Sequence, residues 1–345
     1  MKNSLQAFAD IGRNWLKPWR SAAPTADIYF RHPLAGLIGE STEPIRPAGP
    51  NTYVCGDRLI VIRYATAAEL ALIDSRSWRS IHYILDDMLT KAAESPGLPD
   101  SYRQRMDKFS RTVLPRILDW RPIIVASSDE ILDLFPGFEN RRVDPCLVYP
   151  LPGEAHFGDA SWRAGREIAF FGTASHLASL PFLRRIVAGL IAADSDIRVT
   201  MFLRGYDIGD LAGCPQLRNL KALSWANFRR HLAANHYHIA LALLPDTPFN
   251  SGRSLSKLMD IAGAGAAGLF SNRTPFREIV SHGESGLLIG DDPGEWIGAA
   301  SALLADRVAT AALARNAAAL ASRIGNPAIL RTFWLRELGL EMTGY

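Results

Sequence analysis

Arg253, Ser254, Lys257 and Asp260 place two cations, a hydroxyl and a carboxylate within one short stretch. They follow an apolar run, 238–244, and a Pro/Asn/Ser/Gly turn that contains Asn250. The run reads as a strand. The spacing predicts a helix that starts near Arg253 and Ser254 and carries Lys257 and Asp260 three residues apart on one face. A helix N-terminus directly after a strand offers free backbone N–H groups and the positive end of the helix dipole to an anion. Asn250, Arg253, Ser254 and Lys257 together make a coherent diphosphate seat, and Asp260 is an acceptor for a ribose or sugar hydroxyl. Capping by Asn250 and Ser254 is the plainer reading, and it is compatible with phosphate binding.

Other candidates fall at the ends of further apolar runs. Residues 167–171 read as a strand entering Gly172, Thr173 and His176; a glycine there permits a tight turn at the strand's carboxyl end, where open α/β sheets bind ligands. Arg204 follows the next strand and suits a diphosphate through its planar fork. In the first half, residues 81–85 end in Asp86 and Asp87, which suit the orientation of hydroxyls or a cation; a helix start with first-turn charge is an equal alternative. Two acids do not make a metal site, and no third ligand is set by spacing. Arg31-His32 and Arg63-Tyr64 also follow candidate strands, which makes His32 and Arg63 candidates for acceptor or phosphate contact. The run Ser127-Ser128-Asp129-Glu130 reads as a helix start.

These residues need a frame that brings strand ends together. Short apolar runs alternate with longer mixed segments, the pattern of an α/β fold with parallel strands. Strands are expected at 27–30, 58–62, 81–85, 123–126 and 146–149, then at 167–171, 197–203, 238–244, 266–270 and 287–289. Helices are expected at 67–75, 102–118, 181–193, 225–235, 254–264, 274–281, 293–304 and 307–324. Pro150, Pro152 and Gly153 break regular structure and mark a boundary. The expected division is an N-terminal basic-aromatic segment (1–24), a first Rossmann-like domain (25–150), a second (151–326) and a terminal helix (327–345).

Composition narrows the class. A chain of 345 residues suits two cores. Its 48% hydrophobic and 21% charged residues are those of a globular protein, and a net charge of +3 argues against a dedicated nucleic-acid binder. Cys55, Cys146 and Cys214 are far apart, without metal-ligand spacing, so reduced thiols in the cytoplasm are expected. No secretion signal is evident, and no apolar run suggests a membrane span. Phe8, Ile11, Trp15, Leu16 and Trp19 lie among Arg13, Lys17 and Arg20, so this segment either packs on the fold or lies in a membrane interface. No G-x-G-x-x-G follows an early strand, which sets a dinucleotide enzyme aside.

The block 245–289 resembles the nucleotide-sugar site of GT-B glycosyltransferases, in particular the large retaining family four. The shared pattern is a Pro/Ser loop, a helix with an acidic residue (Asp260) five positions before a glycine (Gly265), an apolar strand, and a hairpin ending Gly286-Leu287-Leu288. The resemblance implies two Rossmann-like domains facing a cleft, with the last helix crossing back to the first domain. It implies transfer of a sugar from a nucleoside diphosphate sugar to a hydroxyl of a glycan or lipid-linked acceptor, with retention, in cell-envelope or exopolysaccharide synthesis. No cofactor is implied beyond the donor substrate.

On this resemblance Arg253, Lys257 and Asp260 are the catalytic candidates. Gly172, Thr173, His176, Arg204, Asn250, Ser254 and Glu278 are the donor-binding ones, and His32, Arg63, Asp86 and Asp87 lie on the acceptor side. The chain departs from the pattern at Gly252, where typical members carry a first glutamate eight positions before the second, and at Ser179, where an aspartate is common. The loss at 252 keeps a non-catalytic partner subunit as the alternative. The expected location is the cytoplasm, at the inner face of the membrane where the acceptor is lipid-linked.

Overall fold

A computed structural model describes residues 22–39, 43–159, 162 and 165–340. The basic-aromatic segment lies outside the described residues up to position 21. Two six-stranded sheets account for the architecture. The first runs in sequence order through β1 (Arg46–Pro47), β2 (Thr52–Cys55), β3 (Arg58–Ile62), β4 (Ser80–Leu85), β5 (Ile123–Ala126) and β6 (Asn140–Arg142). Its β1–β2 and β2–β3 pairs are antiparallel and the rest parallel. The second comprises β7 (Glu167–Phe170), β8 (Arg198–Met201), β9 (Leu217–Asn219), β10 (Ile239–Ala242), β11 (Ala267–Ser271) and β12 (Leu287–Ile289). It is wholly parallel, in the order β12-β11-β10-β7-β8-β9.

That order is the doubly wound one, and it reverses between β7 and β10. Unbroken apolar runs build the centre of each sheet because helices cover both faces. Ile60, Ile62, Ile84 and Val125 face one core and Leu59, Val61, Tyr83 and Ile124 another. In the second sheet, Ile239 pairs with both Ile168 and Ala267, so β10 is buried on two sides.

Local signals fix the helix ends. Thr66 and Glu69 form a reciprocal capping box at the start of Ala67–Asp74. Asp306 accepts from Val308 and Ala309 at the start of Arg307–Ile324, and Asn326 caps Pro327–Leu338. Gly339 ends the last helix with φ 62°. This helix returns to the first sheet. Trp334 donates to the Tyr29 carbonyl at 2.6 Å and sets its ring edge-on to Phe30, 5.0 Å between centroids. Glu337 meets His82 and Arg141, each at 3.2 Å.

Several expectations change. Residues 27–30 are not a strand: Ala23–Ala26 and Asp27–Arg31 are helical, the second with an i→i+5 bond from His32 to Asp27. The Asp27–Arg31 ion pair, four residues apart, fits a helix, and Ile28, Tyr29 and Phe30 are apolar all round because they are buried all round. Residues 146–149 form no ladder; Cys146 and Leu147 donate instead to the Ile28 and Gly325 carbonyls. The expected helix 102–118 is two, Asp100–Thr112 and Leu114–Leu118, and 274–281 shrinks to Phe276–Ile279. The stretch Ala174–Ala193, passed over as a span, has length and hydropathy enough to cross a membrane; its Leu183, Ile186, Val187 and Leu190 are buried in the second core.

Candidate active site between the two sheets

The reversal between β7 and β10 opens a crevice at the strands' carboxyl ends. Beyond β7 the chain turns through Gly172, where any Cβ would lie 2.3 Å from the Phe170 ring and 2.9 Å from His176 Cβ, so only glycine fits. His176 follows on the helical turn Ala174–Ser179. Burial, then the charges of Arg253 and Lys257, hold its imidazole well below the usual range, and therefore neutral. Gly172, His176 and Lys257 line one small pocket with Leu243 and Leu244.

Beyond β10 the chain does not enter one helix, as expected, but two in succession. Thr247 caps the turn Pro248–Ser251, and Asn250 donates to the Pro245 carbonyl at 2.9 Å. The second helix is Ser256–Gly263; Ser254 Oγ accepts from Ser256 N at 3.3 Å. Arg253 and Ser254 therefore occupy the joint, not a helix start. Arg253 Nε donates to Asn250 Oδ1 (3.3 Å), Nη2 to the Ser175 carbonyl (2.9 Å) and Nη1 to Asp87 Oδ1 (2.8 Å).

Lys257 and Asp260 do share a helix face, with Nζ and Oδ2 2.6 Å apart. The other oxygen of Asp260 accepts from Tyr149 at 2.6 Å. Burial, reinforced by Asp260, pushes the Tyr149 hydroxyl well above its ordinary range, so it remains a donor. Its ring sits where a Cβ on Gly263 would come within 2.8 Å. Gly265 turns back towards β11 with φ 67°, a conformation that favours glycine.

From the first sheet, the carboxyl ends of β3 and β4 deliver Arg63, Asp86 and Asp87. Arg63 lies 2.9 Å from Asp86 and 2.8 Å from Asp87. Its backbone is left-handed, φ 57°, a strained conformation for arginine. The Tyr83 hydroxyl holds its carbonyl at 2.8 Å. Burial raises both carboxyls; at Asp86 burial prevails over Arg63, with Asp87 adding to it, whereas at Asp87 the Arg253 and Arg63 charges win and lower it.

The structure thus gathers Gly172, His176, Asn250, Arg253, Ser254, Lys257 and Asp260 on one side, with Arg63, Asp86 and Asp87 opposite. Thr173 is exposed beside Gly172. Arg204 is exposed and spends its Nε on the Asn219 carbonyl; Glu278 is exposed and accepts from Thr274; His32 is exposed. At Gly252 a Cβ would lie 2.3 Å from Met88 Cγ, so a residue of the first half fills the place of the missing glutamate. Tyr149, Ser175 and the Asp87–Arg253 pair were not foreseen. Their partners are far apart in sequence and no local pattern announces them. Among the described residues no group of three His, Cys, Asp or Glu is arranged to hold a metal.

Comparison of this architecture with solved structures gives consistent matches. TarM of S. aureus, in complex with Fondaparinux, alpha-GlcNAc-glycerol and UDP, aligns over 81% of this chain and 55% of its own, with TM-score 0.56 and 9% identity. Anabaena HepE in complex with UDP and glucose aligns over 81% and 77%, with TM-score 0.55 and 15% identity. Sucrose-phosphate synthase from Thermosynechococcus elongatus aligns over 79% and 71%, with TM-score 0.52 and 12% identity. The chain has the GT-B fold of these glycosyltransferases, as two facing α/β sheets and a returning terminal helix define it. It spans about half the length of TarM. No protein-family profile and no curated protein sequence matches it.

Proposed function

We propose that the chain is a hexosyltransferase-type enzyme that moves a sugar from a nucleoside diphosphate sugar to a hydroxyl of a glycan or lipid-linked acceptor, with retention. The observation that carries this reading is the convergence of Lys257, Arg253, His176 and the Gly172 turn at the β7–β10 reversal, where open α/β sheets bind ligands. The UDP complexes of TarM and HepE support it.

In this reading the diphosphate meets Lys257 and the Gly172 turn, with Arg253 reaching it from the joint. The acceptor oxygen bonds to the anomeric carbon, the bond to the leaving phosphate breaks, and the acceptor proton passes to that phosphate. The chain's work is to position both substrates and to stabilise charge on the leaving group. Tyr149 and Lys257 hold both Asp260 oxygens, so Asp260 fixes the ammonium, and a ribose hydroxyl would share one of its oxygens. Neutral His176 serves as a hydrogen-bond partner rather than a charge. Residues 25–150 would take the acceptor and 151–326 the donor. The reaction is assigned to the cytoplasm, at the inner face of the membrane for a lipid-linked acceptor, in cell-envelope or exopolysaccharide synthesis.

Met88 in the place of the missing glutamate favours a second reading, a nucleotide- or glycan-binding partner subunit without turnover. A thermal-shift screen with UDP, GDP, TDP and ADP, with and without a divalent cation, followed by turnover assays with the matching sugar nucleotides, separates the two. Stabilisation by one nucleotide with sugar transfer supports the enzyme. Stabilisation without transfer to any acceptor supports a nucleotide-binding partner subunit; no stabilisation by any of the four contradicts the enzyme and leaves only the glycan-binding form of the partner subunit.

A further inference from the structure

Arg253 is a cation of the proposed donor site, yet all three of its guanidinium nitrogens are engaged within the protein. The Phe249 ring also covers it, 4.4 Å from the centroid. Its ion-pair partner among the described residues, Asp87, arrives from across the cleft, and both Asp87 oxygens are in use: Oδ1 on Arg253 and Oδ2 on Arg63. The mount of this carboxylate is closely packed and hydrogen-bonded. Arg63 is held in a left-handed conformation by bonds to Ile84 and Tyr83, and Met88, next to Asp87, is wedged over Gly252. Both side chains of the pair are largely withdrawn from solvent, 10% exposed for Arg253 and 12% for Asp87.

A carboxylate on a guanidinium offers the charge and acceptor oxygens that a phosphate would offer. Arg253 also touches Ser175 of the β7 turn, so it stands at the rim of the pocket lined by Gly172, His176 and Lys257. We propose that Asp87 is an internal counter-anion of the donor site: it holds Arg253, ties the two halves of the molecule together, and is displaced from Arg253 by the donor's diphosphate. This rests on the donor-site reading above and reassigns Asp87 from acceptor contact to control of donor binding. A ligand that must displace an internal partner binds more weakly, in proportion to the fraction of molecules whose Arg253 is free. By linkage, diphosphate binding loosens the tie between the halves.

The test is calorimetric titration of inorganic pyrophosphate and of UDP into the wild-type chain, Asp87→Asn and Asp87→Glu. Asp87→Asn should bind pyrophosphate about tenfold more tightly than wild type, because the competing charge is gone. Asp87→Glu keeps the charge and should bind pyrophosphate more weakly than Asp87→Asn. Binding by wild type with equal or weaker binding by Asp87→Asn overturns the counter-anion and leaves the donor site standing. Binding by neither overturns both. If Asp87→Asn does not fold, nuclear magnetic resonance of the wild type decides: pyrophosphate should move the Arg253 guanidinium and Asp87 carboxylate signals together. Lys257 responding while both stay still would overturn the proposal.

Discussion

The two walls of the cleft handle charge differently. On the second sheet five of the gathered residues lie within one segment, 250–260, joined by Gly172 and His176 of the β7 turn, and Lys257 is set by Asp260 three residues on. On the first sheet Arg63, Asp86 and Asp87 come from two strand ends, are packed together out of water, and find the partner that completes them, Arg253, on the opposite wall. The first wall is therefore a fixed charge mount, and the second a set of donors at a sheet reversal.

The largest effect should follow from breaking the contact between the walls. Arg253→Ala leaves Asp87 buried beside Arg63 alone, which should cost about 3–5 kcal/mol of stability in denaturant unfolding; a loss under about 1 kcal/mol would mean that the pair is no tie at all. Gly252→Glu sharpens the steric side. A side chain there collides with Met88 and should cost about 1–3 kcal/mol, with recovery in a Met88→Ala background. Equal cost in both backgrounds would remove Met88 from the account.

Lys257→Ala isolates the second wall. It should weaken UDP binding about tenfold, or about 1.4 kcal/mol, in calorimetry. Asp260→Asn should weaken it less, since it loosens the ammonium without removing it.

The smallest effect concerns the returning helix. Glu337 is drawn down to about 2 from its ordinary 4.5, first by the hydrogen bond to His82, then by Arg141. A lowered carboxyl contributes stability above its unfolded value and loses it as pH falls towards the folded one. Glu337→Gln should flatten the part of the acid-unfolding profile between about pH 4.5 and 2; an unchanged profile there would remove Glu337 from the docking of this helix.

Legibility followed the same division. Most of the second sheet was readable because its strands are short apolar runs and several of its helices carry their own caps: Arg307–Ile324 and Leu287–Ile289 fall where expected, whereas β9 (Leu217–Asn219), short and partly polar, was not expected. The joint at Arg253 and Ser254 was misread as a helix start because Thr247 caps an earlier turn. In the first half, 27–30 read as a strand because complete burial erases helical periodicity. The β2–β3 hairpin was missed although Gly56-Asp57, with Gly56 at φ 58°, separates two apolar runs, a readable turn signal. The site residues on the second wall follow from local spacing. The Arg63–Asp87–Arg253 chain spans 190 positions, as 253 minus 63, and only the packing of the two sheets creates it.

The central claim is that the β7–β10 reversal is a donor diphosphate site. A crystal structure of the wild-type chain with UDP tests it most directly. The account predicts the diphosphate against the Gly172 turn and Lys257 Nζ, with the Arg253 guanidinium turned from Asp87 towards it. UDP bound elsewhere, or diphosphate density that leaves Lys257 on Asp260 alone and Arg253 on Asp87, would contradict it.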